Sequence, residues 1–331
     1  MQNHSVEAEV GRFFNKLVAD VQKKSETFEA SFLNVGCTFH IGNNVPHENL
    51  IRTAFFPSHS TSREVNIYLS TSTDSIGITD FNSLEVINDL HPVENRFGNY
   101  RFSADPSGNF LYFYDSAEKI GGIWISPSVV MAPEMLITPF RTFISWLLEE
   151  DGGVILHASS FTLGDRRILL VGPSGSGKST IAFEALARSE IVICDDAIAL
   201  TNSGCFPIYT KMKMKSYVDL IEVSGSHIKC EQVGSKSVLD LRKILNYAPI
   251  GYLPDLLLFP SLASKSEFIH ISTSEALKKI MIDSFSETLG APIGALRLMN
   301  SVLSQIQAIN WRLDPEPSLN WDELKAKVSK A

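Results

Sequence analysis

The stretch Ile168-Leu169-Leu170-Val171-Gly172-Pro173-Ser174-Gly175-Ser176-Gly177-Lys178-Ser179-Thr180 decides how this chain is read. Four apolar residues suited to a buried strand run straight into the pattern G-x-x-x-x-G-K-[ST], and Ile181 to Arg188 continue as a helix. Strand, glycine-rich loop and helix are the setting in which this pattern binds phosphate. Glycines allow successive backbone N–H groups to curl around phosphate oxygens, and the helix N-terminus adds partial positive charge. The loop Gly172, Pro173, Ser174, Gly175, Ser176, Gly177, Lys178, Ser179 and Thr180 is thus a candidate nucleotide-phosphate site. Lys178 has the reach for β- and γ-phosphates, and the Ser179 hydroxyl for Mg²⁺.

Downstream, Ile191-Val192-Ile193-Cys194 reads as a buried strand ending in Asp195-Asp196, 17 and 18 residues after Lys178. Ligands of open α/β sheets collect at such strand ends. Adjacent acids directly after an apolar strand are costly unless a cation or donor meets them. One carboxylate suits a metal or metal-bound water, the other the proton of an attacking hydroxyl; the sequence does not say which does which. His157, between a short strand and Ala158-Ser159-Ser160, is either a structural histidine or a neighbour of the transferring phosphate. Lys211, Lys213 and Lys215 alternate with Met212 and Met214, the pattern of a solvated edge strand with an apolar inner face.

The 331 residues suggest two domains. The chain is 44% hydrophobic and 20% charged with a net charge of −8, an ordinary globular composition that does not call for nucleic acid or an anionic membrane. Cys37, Cys194, Cys205 and Cys230 lack C-x-x-C spacing, which argues against zinc or a disulfide framework and suits a reducing cytoplasm. No signal peptide and no membrane-length apolar run is apparent, so the expected location is cytoplasmic.

Outward from the loop, residues 134–331 read as one α/β domain. Thr138-Pro139 is expected to open a helix whose apolar face carries Phe140, Phe143, Ile144, Leu147 and Leu148. Short strands at Val154–Leu156 and Ser159–Leu163, joined to the next strand by Gly164-Asp165, imply antiparallel pairing ahead of the loop strand. Gly225 to Ser237 reads as a loop. Leu256–Phe259, Phe268–Ile271 and Ile309–Leu313 read as strands, and helices are expected from Ser274 through Met281, from Ile293 to about Ala308, and from Trp321 to Val328. Asp255 precedes its apolar run and so does not serve as a strand-end metal acid. Residues 1–133 read as an N-terminal helix over residues 5 to about 33 followed by a mainly β region with a turn at Asp105-Pro106-Ser107-Gly108, suited to substrate selection or dimerisation. Its Phe110, Tyr112 and Tyr114 suit a core stripe, and its His40, His47, His59 and His91 are too scattered for a metal set. Ser126 to Pro139 reads as a linker.

The ordered set Leu156-His157-Ala158-Ser159-Ser160, Gly164-Asp165, Gly172 to Ser179 and Cys194-Asp195-Asp196 resembles the core of the HPr kinase/phosphorylase-related family, over about residues 135 to 331. The resemblance implies a P-loop kinase domain on a phosphoenolpyruvate carboxykinase-like mixed sheet. It further implies ATP as phosphate donor, Mg²⁺ held by Ser179 with Asp195 and Asp196, and His157 and Lys178 beside the transferring group. The family's downstream phosphorylase signature is absent, so kinase activity without dephosphorylation is expected. The acceptor would be a hydroxyl, serine above all, on a peptide, protein or small molecule; oligomerisation of identical chains is left open. The contrasting expectation is a nucleotide-sensing regulator or scaffold with little turnover, and a third is a plain NTPase.

Overall fold

The computed structural model describes residues 2–23, 26–32, 35–42, 45, 48–56, 63–71, 95–104, 109–129, 131, 133–214, 220–223, 226–244, 251–285 and 294–328. The chain is a mixed α/β protein with mixed sheets, and its contacts separate two compact units. One comprises residues 1–52, 57–131 and 140–143; the other comprises 53–56, 132–139 and 144–331.

The first unit is built on a seven-stranded sheet. Strands β1 (Glu26–Phe32), β2 (Val35–Ile41), β3 (Arg63–Ser70), β4 (Asn95–Phe97), β5 (Tyr100–Ala104), β6 (Phe110–Asp115) and β7 (Ile120–Ile125) lie in the order β1-β2-β3-β7-β6-β5-β4. The β2–β3 and β3–β7 pairs are parallel, and the others antiparallel. Helix α1 (Gln2–Gln22) lays Phe14, Leu17 and Val21 on Tyr68, Phe102, Leu111, Phe113 and Trp124. It comes close because Gly122 has no side chain: a Cβ there would lie 2.9 Å from the Phe14 ring.

The helix expected as far as residue 33 stops earlier. Glu26 to Phe32 alternates, Phe28 stacks on Phe39, and the segment becomes β1. Phe110, Tyr112 and Tyr114 are buried core, as their pattern suggests. His40 stacks on Tyr68 and meets Asn66. His47, His59, His91 and the turn at 105–108 lie outside the described residues.

The expected linker contains structure of its own. Helices α2 (Glu48–Thr53) and α3 (Pro133–Ile137) are short, and α4 spans Arg141–Glu150. Phe140 takes a left-handed φ of 58°, so α4 begins after it and not at Pro139.

The second unit centres on a six-stranded sheet in the order β11-β9-β10-β19-β21-β20. These are β11 (Val192–Cys194), β9 (Ala158–Leu163), β10 (Arg166–Val171), β19 (Leu256–Leu262), β21 (Gln307–Leu313) and β20 (Glu267–His270). The β10–β19 and β19–β21 pairs are parallel; β9–β10, β9–β11 and β20–β21 are antiparallel. β10 is buried on both faces, which explains its unbroken apolar run. Ile168 and Leu170 enter a core with Ile181, Leu186, Trp311 and Trp321, whereas Leu169 and Val171 enter another with Ile193, Leu257, Ile280 and Leu298.

A three-stranded sheet joins β8 (Val154–Leu156), β12 (Ile198–Thr201) and β13 (Gly204–Pro207). Another joins β14 (Lys211–Met214), β17 (Glu231–Val233) and β18 (Lys236–Asp240), and β15 (Leu220–Val223) pairs with β16 (Ser226–Lys229). The expected loop at Gly225–Ser237 is therefore largely short strands, each too brief to show its period in sequence. The helices are α5 (Lys178–Ala187), α6 (Thr273–Phe285), α7 (Ala295–Leu303) and α8 (Pro317–Val328). Ser272, not Ser274, accepts the Glu275 N–H at the start of α6. Among the described residues no helix is long and apolar enough to cross a membrane.

Candidate functional site

The glycine-rich loop leaves β10 and enters α5 through a backbone that only glycine adopts easily. Gly175 and Gly177 have φ of 83° and 106°. Gly177 is also pressed from outside: a Cβ would sit 2.5 Å from Leu313 Cδ1. It immediately precedes α5, and no side chain caps that helix N-terminus. Uncapped N–H groups and the helix dipole leave this end suited to an anion. The Ser176 hydroxyl, 7% exposed, is buried without a hydrogen-bond partner beside it. Lys178, 5% exposed, donates to its own loop, to Gly172 O at 2.6 Å and Pro173 O at 3.0 Å. Burial pushes the Lys178 ammonium below its usual range, against the pull of Asp195, Asp196 and Asp283.

The two aspartates that follow β11 have separate surroundings. Asp195 is fully buried. Its Oδ1 accepts from Ser159 Oγ at 2.6 Å and Ser179 Oγ at 2.9 Å, and its Oδ2 from the Lys213 N–H at 3.1 Å. Burial, then the Asp196 charge, raises its carboxyl above the ordinary range. Asp196 retains some solvent access. Its Oδ1 lies 3.3 Å from His157 Nε2 and 2.9 Å from Lys213 Nζ. Burial opposes its ionisation, but the His157 hydrogen bond and Lys213 charge outweigh that and hold it well below the usual carboxylate range. Its φ of 76° is left-handed, strain for any non-glycine residue although Asp tolerates it better than most.

His157 stands where the chain steps from β8, in one sheet, to β9, in another. Its N–H donates to Ser284 Oγ at 3.1 Å near the end of α6. The next residue back, Asp283, lies within electrostatic reach of Lys178, Lys279 and His157, and burial lifts its carboxyl above the usual range against all three. The structure thus brings together the loop, Asp195, Asp196 and His157, and adds Lys213, Ser159, Asp283 and Ser284.

β14 is an edge strand with Met212 and Met214 buried on its inner face, as expected, but Lys213 is not simply solvated, since both its backbone and its ammonium hold the acid pair. Lys211 is also not solvated. It is 2% exposed and paired to Asp240 at 3.2 Å and Glu231 at 3.5 Å. Lys215 lies outside the described residues. Strand alternation was the available signal for Lys213: with Met212 buried in the core, its neighbour must point the other way. Asp283 and Ser284 carry no local signal, because Ser284 meets His157 across 127 residues of chain.

Among the described residues no group of three or more His, Cys, Asp or Glu side chains is arranged to hold a metal. A hard cation such as Mg²⁺ does not require one, since it binds through one or two carboxylates plus phosphate oxygens and water. Ser179 hydrogen-bonded to Asp195, with Asp196 adjacent, fits that donor set.

Fold and site together define a mixed α/β protein with a glycine-rich loop facing an acid pair. No protein-family model matches the sequence, and no curated protein does. Among solved structures the chain is similar to the HPr(Ser) kinase/phosphatase from Coxiella burnetii, at 13% identity and a TM-score of 0.27, over 53% of this chain and 88% of that one.

Proposed function

We propose that the chain is an ATP- and Mg²⁺-dependent kinase of HPr kinase-like type, a P-loop domain on a carboxykinase-like sheet. It transfers the γ-phosphate to a hydroxyl, serine above all, and lacks phosphorylase activity. Residues 134–331 are the kinase domain in this reading, and residues 1–133 select the substrate or join identical chains. The observation that carries it is the division of labour between the aspartates. Asp195 is tied to the Ser179 hydroxyl of the loop, while Asp196 is held by His157 and Lys213 with solvent access remaining.

Lys178 would leave the carbonyls of Gly172 and Pro173 for phosphate oxygens, a better partner for an ammonium. Ser176 Oγ and the α5 N–H groups would add donors. Mg²⁺, when bound, would screen the β- and γ-phosphate charge, held by Ser179 and by Asp195 directly or through water. Asp196 would accept the acceptor's proton as its oxygen bonds to the γ-phosphorus and the bond to the ADP oxygen breaks. Phosphoryl transfer passes through a loose transition state, so positioning the hydroxyl matters more than basicity. A carboxylate of low basicity is therefore adequate. Lys213 and His157 would fix its direction.

The test is a single-turnover incubation with γ-³²P-ATP and Mg²⁺ in the presence of serine-containing acceptors. Label on the acceptor, lost in Asp196→Asn, is the expected result. Tight ATP binding with neither transfer nor phosphate release would instead identify a nucleotide sensor.

A further inference from the structure

Helices α6 and α7 enclose a groove of about 890 Å³. Leu277, Met281, Ile282 and Leu296 form its apolar surface, and Ile282 and Leu296 are 65% and 53% exposed. Lys278 and Arg297 also line it, and among the described residues no acid lines it and neither cation has an ion pair. In a chain of net charge −8 this is a local reversal of sign. Leu277, Lys278, Met281 and Ile282 recur at three- and four-residue steps, forming one stripe along α6.

The same helix reaches the candidate site. Its last turn carries Ser284, bonded to the His157 N–H, and Asp283, within the field of Lys178. Leu277 precedes Asp283 by six residues, ~9 Å along the axis. About three residues of extended chain cover that distance.

We propose that this groove docks the phosphate acceptor, and that the acceptor is a peptide segment with apolar residues at helical spacing and flanking carboxylates. The apolar residues seat on Leu277, Met281, Ile282 and Leu296, as an amphipathic helix lies in a groove. The carboxylates meet Lys278 and Arg297. The segment's serine then lies a few residues away, beside Asp196. The groove sets substrate class, a peptide in preference to a small metabolite. The inference rests on the kinase reading for the word acceptor.

Random 15-residue peptides displayed and selected on the full-length protein test it, with Lys278→Glu/Arg297→Glu as a parallel bait. The wild type is expected to enrich peptides carrying Asp or Glu among apolar residues at three- and four-residue spacing. The double variant should bind those peptides about tenfold or more weakly while keeping its melting temperature and nucleotide affinity. No enrichment, or the same peptides bound equally by both proteins, overturns the docking groove. Selected peptides containing serine are then offered with γ-³²P-ATP. Transfer with KM raised in the double variant and kcat unchanged supports the whole proposal. Transfer with equal KM overturns the groove and leaves the kinase standing. Binding without transfer overturns the kinase reading, and the acceptor role with it, while leaving a peptide-binding groove.

Discussion

Asp196 combines a proposed role as proton acceptor with a strongly stabilised negative charge, and each makes a prediction. Asp196→Asn removes the proposed proton acceptor but leaves the glycine-rich loop intact. Turnover should fall roughly a hundredfold or more with nucleotide affinity nearly unchanged. Single-turnover rates beside an equilibrium binding titration check this, and parallel losses of both would reassign Asp196 to nucleotide binding. The same substitution has a pH signature. The folded-state pKa of Asp196 is depressed from 3.8, so the stability it contributes is complete above that value and is lost as pH falls below it. The stability gap between wild type and Asp196→Asn should be constant near neutrality and shrink below about pH 4 in denaturant titrations. A gap that instead grows on acidification would contradict the assigned charge state. At this scale the sequence announces Asp195 and Asp196 by their place after an apolar strand. It cannot separate their roles, because Ser159, Ser179, Lys213 and His157 reach them from other elements.

Between β10 and α5 the chain turns through Gly177, where both φ and the nearby Leu313 exclude a side chain. Gly177→Ala should cost about 1–3 kcal/mol and weaken nucleotide binding, measured by denaturation and titration; unchanged stability would mean that the loop relaxes freely. A second test concerns β14 and β18. Lys211 and Asp240 are buried together, Arg242 also pairs with Asp240, and these partners overcome burial to lower the Asp240 pKa. Asp240→Asn leaves the buried Lys211 ammonium with only the longer, 3.5 Å contact to Glu231 among the described residues and should cost up to ~3–5 kcal/mol. Replacing both, Asp240→Leu with Lys211→Met, should recover most of that loss in the same denaturant experiment. The alternating lysines and methionines make the strand legible, but alternation says nothing about what covers each face. Strand partners 29 residues apart decide that Lys211 is buried.

The two compact units part mainly between residues 131 and 132, with short exchanges of chain on either side. Residues 53–56 belong to the second unit: Phe55 bridges Tyr209, the Thr210 N–H donates to Ala54 O, and Thr210 Oγ1 donates to Thr53 O. A fragment starting at residue 134 loses all three. Its Thr210 amide should exchange hydrogen faster than in the full chain, and its unfolding midpoint should fall; equal protection in both would show these contacts to be dispensable. The sequence by itself determined the glycine-rich loop, the strand that feeds it, the acid pair and the antiparallel strands ahead of it. Those features are local, set by glycine geometry, apolar runs and residue spacing along one segment. Only the tertiary structure decided that Lys213 and His157 hold Asp196, that α6 brings Asp283 and Ser284 alongside, and that residues 53–56 complete the second unit. Each joins segments far apart in sequence, and such pairings are selected by burial and hydrogen-bond satisfaction across the whole fold, which no local pattern records.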